Sequence, residues 1–237
     1  MGWAWSLAQP AAMLLFFSIL FATIFPLPEI PMGSGNGSSY PAFLFCGMVV
    51  WNLFSATQNL SITTLRSCRP LLGKVAFPAW TAVVGAQLVQ LIQVLSEFAV
   101  LLLLLLLLGN MGWSWLAAVP VLIGAILFTQ GVGLVVSVLG TRFRDVRAVV
   151  AIVLGLLYFA TPILYPMSAL DGMNHWLMLA IKLNPLSWYV QGMHDALYYL
   201  DAPSPLALLL LLLGGAGTFL LGRWAFTRLS TDLAENL

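Results

Sequence analysis

Few side chains in this sequence are suited to catalysis, and they are scattered. His175 and His194 are the two histidines, and His194 is followed by Asp195. A zinc site takes three or four ligands at set spacings. Two lone histidines without a cysteine or carboxylate cluster do not supply one. His194-Asp195 could pair a base with an orienting acid, but no elbow motif places a nucleophile beside it. An enzyme acting on lipids would have to use this pair. Gly73-Lys74 is followed by Val75, and no glycine stands five positions before Gly73. The phosphate-binding loop G-x-x-x-x-G-K-[ST] is therefore absent, and the chain cannot bind ATP by that route. No catalytic residue and no metal ligand is assigned, and the chain is not expected to be an enzyme.

Three constellations remain. Glu97 lies in an apolar stretch, preceded by Gln87, Gln90 and Gln93. Gln90, Gln93 and Glu97 are three and four residues apart, so on a helix they share one face. That face is expected to look inward, either as polar packing between helices or as the lining of a path. Tyr158, Phe159, Tyr165, Trp176, Trp188, Tyr189, Tyr198 and Tyr199 form a second group. They fit an interfacial aromatic belt or a surface that stacks on the C–H faces of sugar rings. The third is the turn Gly140–Arg147, where Arg142, Phe143, Arg144, Asp145 and Arg147 stand close together. It either fixes orientation or forms a docking knob for a partner protein.

The elements that carry these residues follow from composition. Of 237 residues, 61% are hydrophobic and only 7% charged, and the mean hydropathy is +0.99. Soluble domains hold about 25% charged residues, so so few charges cannot cover a water-exposed surface. The net charge of +1 gives no footprint for nucleic acid. Cys46 and Cys68 read as free thiols, and the N-terminus lacks the basic start of a cleaved signal peptide. Apolar stretches at about 7–25, 41–62, 80–108, 115–139, 148–164 and 206–221 are each expected to cross a bilayer. The segment 168–203 is mixed and breaks at Asn184-Pro185. Its two pieces, about 174–183 and 186–200, fit a down-and-back helix pair entering one leaflet; the first is only about 15 Å long. The fold class is an all-α integral membrane protein, a single transmembrane domain over 1–237. It is expected to have six helices and both ends in the cytoplasm, with this re-entrant pair on the outer side between spans five and six. The charges agree with that orientation. Arg66, Arg69 and Lys74, then Arg142, Arg144 and Arg147, then Arg223 and Arg228 all fall inside, leaving Lys182 outside.

The motifs GTRFRDVRAVVAIVLGLLYFATPILYP and LNPLSWYVQGMHDAL resemble the permease subunits of type-2 ABC exporters. GWAWSLAQP and LLGKVAFPAW, before the first and third spans, are similar to the same family. Within the family, the likeness points to the group exporting polysaccharides and polyol phosphates, such as O-antigen, capsule and teichoic acid. It covers nearly the whole chain. It departs in two places: only Met1 to Leu7 precede the first span, where members usually carry an amphipathic helix, and His194 stands at a position the family usually fills with a basic residue.

The resemblance implies a homodimer of permeases in a bacterial cytoplasmic membrane, bound to two ATPase subunits that hold ATP and Mg; this chain itself has no cofactor. The cargo would be a lipid-linked polymer. Arg66, Arg69, Lys74, Arg142, Phe143, Arg144, Asp145 and Arg147 would couple to the ATPase. Pro162, Pro166, Asn184 and Pro185 would be the joints of an outer gate. Tyr158, Phe159 and Tyr165, with Gln90, Gln93 and Glu97, would line the path. The alternatives are an exporter of a drug or small lipid, and a secondary carrier that works through Glu97.

Overall fold

A computed structural model describes residues 30–68, 78–170 and 174–235, together with the isolated positions 12, 15, 16 and 19. Seven α-helices fill the three continuous segments: α1 (Tyr40–Ser67), α2 (Ala79–Leu107), α3 (Trp115–Arg142), α4 (Val146–Phe159), α5 (His175–Leu183), α6 (Pro185–Met193) and α7 (Pro205–Glu235). A 3-10 turn (Met167–Leu170) precedes α5, and a π-turn (His194–Tyr198) follows α6. Among the described residues, four helices are long and apolar enough to cross a membrane: Tyr40–Leu65, Ala79–Leu107, Trp115–Arg142 and Pro205–Leu229. The first expected span, 7–25, lies outside the described residues apart from four positions.

Several boundaries differ from the sequence expectation: α1 runs past 62 to Ser67, the piece expected at 186–200 is α-helical only to Met193 before the π-turn, and two further differences have a clear local cause. The stretch 148–164 is helical only to Phe159, because Pro162 lacks an N–H and pushes the residue before it out of the helical region. The last helix does not stop near Leu221 but runs through Gly222 and Arg223 to Glu235. No proline interrupts it there, and one glycine costs a helix only about 1 kcal/mol.

Helix α3 is the central post, packed most extensively against α7 and α1. Its glycines divide between two faces. Gly124 lies against Gly215, and Gly131 against Gly222, with backbone so close that a Cβ on any of the four would meet the facing backbone. Both pairs advance seven residues in each helix, so α3 and α7 run parallel. On another face, a Cβ on Gly133 would lie 2.7 Å from Ser61 Oγ, and one on Gly140 2.7 Å from the Ile62 carbonyl oxygen. Small residues allow this approach between helices for which lipid supplies no hydrophobic drive. Gly133 therefore permits close approach of α1 and α2 rather than of α7.

Helix α2 runs antiparallel to α1. Gln87 Nε2 donates to Ser61 Oγ at 2.8 Å, and Asn52 Nδ2 donates to Glu97 Oε2 at 3.0 Å. Helix α4 is antiparallel to α1 as well, with Tyr158 near Met48 and Trp51. The free ends of α1, α3 and α7 and the start of α2 thus gather on one side of the bundle. Arg223 confirms this by lying over the Trp80 ring at 4.6 Å.

Candidate functional site

The residues singled out from the sequence fall into three places along the bundle axis. The first is the basic end. α3 stops at Arg142, and α4 starts at Val146 after only Phe143, Arg144 and Asp145. Arg142 in the last turn of α3 suits the negative end of that helix dipole. Its guanidinium sits 6.0 Å from the Phe143 ring centre. Phe143 is 54% exposed, and Arg142, Arg144, Asp145 and Arg147 are exposed too. The structure thus presents an aromatic ring and four charges on one tight, solvent-facing turn. Arg66 lies in the last turn of α1; Arg69 and Lys74 lie outside the described residues.

The second place is the middle. Glu97 is buried between α1 and α2. Its Oε2 accepts from Asn52, and its Oε1 accepts from Gln93 Nε2 at 3.4 Å. Gln90 is half-buried on the same helix. Gln93 and Glu97 meet on this face, and Glu97 is also engaged by Asn52, which has no part in the sequence expectation. Tyr158 and Phe159 are not part of that cluster. They stand at the end of α4 beside a different face of α1, where Trp51, Ser55 and Asn59 line a groove of about 390 Å³ with them. Tyr158 packs edge-on to Trp51 at 5.2 Å and to Phe159 at 5.3 Å, and Phe159 is 68% exposed. Asn59 is exposed within an apolar helix. An amide there is costly against lipid and is favoured only beside water, protein or a polar cargo. The four-residue spacing of Trp51, Ser55 and Asn59 was the available signal for this stripe.

The third place is the end of the bundle away from the basic turn, the outer end in the orientation expected from the charges, where Asn184 is the joint. It ends α5 and begins α6, its side chain accepting from Leu186 N at 3.1 Å. Its amide also donates to the Ala160 carbonyl at 3.2 Å and to Thr161 Oγ1 at 2.9 Å. The break at the end of α4 is therefore tied to the hairpin turn. Pro185 occupies the first turn of α6, where a missing N–H leaves no bond unmade. Pro162 is buried and Pro166 half-buried in the segment that follows α4. Tyr165 donates to the Phe159 carbonyl at 2.9 Å, and Tyr40 to the Leu164 carbonyl at 2.7 Å. Asn184 thus ties the start of α6 to the residues just before Pro162, and Tyr165 ties the segment that holds Pro166 to the end of α4.

His194 is committed to packing. Its ring stacks on Phe43 at 4.0 Å, and Nε2 lies 3.0 Å from the Phe43 carbonyl. A carbonyl only accepts, so Nε2 carries the proton. Burial lowers the imidazole to about 4, outweighing the Phe43 bond that raises it. A neutral, stacked ring of this kind is not the base of a His–Asp pair. The carboxylate of Asp195 is bound by Gln191 Nε2 at 2.7 Å.

Fold and site together define a multi-pass helical membrane protein with an exposed charged knob at one end and an aromatic, proline-jointed cap at the other. Residues 1–198 match the ABC-2 type transporter family, and the chain belongs to it. Among curated relatives, it is 32% identical over 206 residues to an O-antigen export system permease protein, RfbA, of Myxococcus xanthus, covering 84% of this chain and 73% of that protein. It is 27% identical over 208 residues to the RfbA of Klebsiella pneumoniae, covering 84% and 75%. It is 28% identical over 209 residues to the polysialic acid transport protein KpsM of Escherichia coli, covering 83% and 73%.

Proposed function

We propose that this chain is the permease subunit of an ATP-driven exporter carrying a lipid-linked polysaccharide or polyol phosphate polymer out across a bacterial cytoplasmic membrane. One observation carries the proposal: a member of the ABC-2 family, with relatives named for O-antigen export, holds a groove of three aromatic rings, a serine and an asparagine amide along a membrane helix. Rings and amides of this kind suit a sugar chain better than a drug or small lipid. The working unit is two copies of this chain with two ATPase subunits, which hold ATP and Mg. Residues 1–237 form one transmembrane domain with six spans and both termini in the cytoplasm. In this arrangement the apolar stretch 7–25 is the first span and α4, with the residues after it, is the fifth. The parallel run of α3 and α7 supports an odd number of crossings between them. The gathering of arginines at one end supports that end as cytoplasmic.

The geometry gives the proposal a mechanical path. The knob that would meet the ATPase joins α3 directly to α4. Helix α4 is about 21 Å long, and its far end is tied by Asn184 to the outer hairpin. A displacement of Arg144 and its neighbours would be carried by one short rod past the Tyr158 groove to the outer joint. In the host, removing this chain should leave lipid-linked polymer on the inner face, beyond the reach of added glycosidase. Export should return only with an intact chain and an active ATPase. Surface polymer at normal levels without the chain, or export that survives ATP depletion under a proton gradient, would overturn the proposal.

A further inference from the structure

A short hairpin over residues 31–38 precedes α1 at the end of the bundle away from the basic turn. It is closed by the Pro31–Ser38 bridge and by Met32 N donating to the Gly37 carbonyl at 3.0 Å. Two bonds dock its first half: Gly33 N donates to the Tyr198 carbonyl at 3.0 Å, and Ser34 N to Asn110 Oδ1 at 3.1 Å. Its tip is open. Asn36 and Gly37 are exposed, and a Cβ built on Gly37 would meet nothing within 4 Å. Gly37 has a φ of +106°, a conformation glycine adopts without strain. The Asn36 side chain is lightly held. Its Nδ2 donates to the Gly109 carbonyl at 3.3 Å, longer than the roughly 2.7–3.2 Å of firm bonds. Asparagine is a thermally labile residue, because its Cγ lies within five-membered-ring reach of the next backbone nitrogen. A side chain on the next residue shields that nitrogen. Of the seven asparagines in the sequence, Asn36 alone is followed by glycine.

We propose that Asn36 is a site of spontaneous deamidation, and that its conversion loosens the hairpin from the loop between α2 and α3. Hydroxide removes the Gly37 N proton, and the nitrogen bonds to Asn36 Cγ. The Cγ–Nδ2 bond breaks, and Nδ2 leaves as ammonia with a proton from water, which restores the hydroxide. Water then opens the ring. Breaking the new N–Cγ bond gives aspartate at position 36. Breaking the ring on its main-chain carbonyl side gives isoaspartate, with one more carbon in the backbone. Nothing is oxidised or reduced. Either product replaces the donor facing the Gly109 carbonyl with a carboxylate, so two acceptors meet. Isoaspartate also lengthens a turn whose ends are pinned by the Pro31–Ser38 bridge. The full chain in lipid nanodiscs would be aged in mildly alkaline and mildly acidic buffers made with heavy-oxygen water, then mapped by peptide mass spectrometry. Heavy oxygen should enter at position 36, and faster in alkali. It should enter there at least about tenfold faster than at Asn59, which is also exposed but precedes a leucine. Asn36→Gln keeps an amide at an exposed position but needs a larger ring, so it should stay unconverted. After ageing, amide hydrogen exchange at Gly33 and Ser34 should quicken about tenfold in the wild type and not in Asn36→Gln. No label at position 36, a rate there no greater than at Asn59, or unchanged exchange at Gly33 and Ser34 after conversion would overturn the proposal.

Discussion

The two ends of the bundle are built on opposite plans. At the outer end, buried Asn110 donates to the Leu197 and Tyr198 carbonyls at 2.8 and 3.0 Å and accepts from Ser34 N at 3.1 Å. Ser114 donates to the Ala196 carbonyl at 2.7 Å, and Tyr198 donates to the Ile30 carbonyl at 2.6 Å. A π-turn takes its carbonyls out of the α-helical ladder, and the loop between α2 and α3 takes them up. Among the described residues the knob at the basic end shows no comparable lattice, and Phe143, Arg144, Asp145 and Arg147 are all exposed. One end is completed by the chain itself, whereas the other presents groups suited to a partner. Substitutions at the outer end should therefore cost stability, and those at the basic end should cost transport.

The largest stability loss is expected at Asn110. Asn110→Leu removes three hydrogen bonds, two of them buried, and leaves their partners unmet, which should cost about 3 kcal/mol. Thermal unfolding of the purified protein would show it. A midpoint equal to that of the wild type would mean that the outer lattice does not hold that end together.

His194 tests the same end through pH. Its folded form stays neutral down to about 4, while the unfolded chain takes up a proton below about 6.5. The unfolded state therefore binds more protons between those values. The stability is fully present above pH 6.5 and is lost as pH falls toward 4. From pH 6.5 to 5 the loss should be about 2 kcal/mol. His194→Gln should flatten that part of the profile. An equally steep profile in the variant would assign the pH dependence to other groups.

At the basic end the signs reverse. Arg144→Glu should alter stability by less than about 0.5 kcal/mol, as exposed substitutions usually do. It should leave insertion normal and uncouple ATP hydrolysis from export. Unchanged export would show that the knob does not transmit force, and a large stability loss would show that the basic end is no more open than the outer one.

How much of this was legible beforehand depended on the kind of interaction. Long apolar runs announce helices through composition alone, so α1, α2 and α3 start within one residue of their expected positions. Asn184-Pro185 announces a joint because proline fixes a local conformation. The glycine faces of α3 were half legible: Gly133 and Ser137 stand four apart, but which neighbour they meet is a property of packing. The partners that complete the outer end were illegible, because Asn110 meets Leu197 across 87 positions of sequence. Asn52 likewise meets Glu97 across 45, and no local period marks such a pair. Charge on the knob was visible in the sequence because it needs no tertiary partner within the chain.

Glu97 lies between the two ends and shows to which plan the middle belongs. Its two carboxylate oxygens accept from Asn52 and Gln93, so its role in packing is that of an acceptor. Glu97→Gln keeps the shape and one acceptor oxygen, and the Gln93 amide can turn to offer its own oxygen to the new N–H. The expected stability change is under about 1 kcal/mol. Glu97→Leu instead strands two donors and should cost about 2 kcal/mol. If the middle follows the self-completed plan, Glu97→Gln should export polymer at nearly the wild-type rate and still require ATP. A carrier that moves protons through this carboxylate would lose transport completely in Glu97→Gln, since an amide cannot take up and release the proton. Equal stability with abolished transport would therefore move Glu97 from packing to the transport step. Retained transport together with the Glu97→Leu instability would place it with Asn110, as a polar bolt between helices.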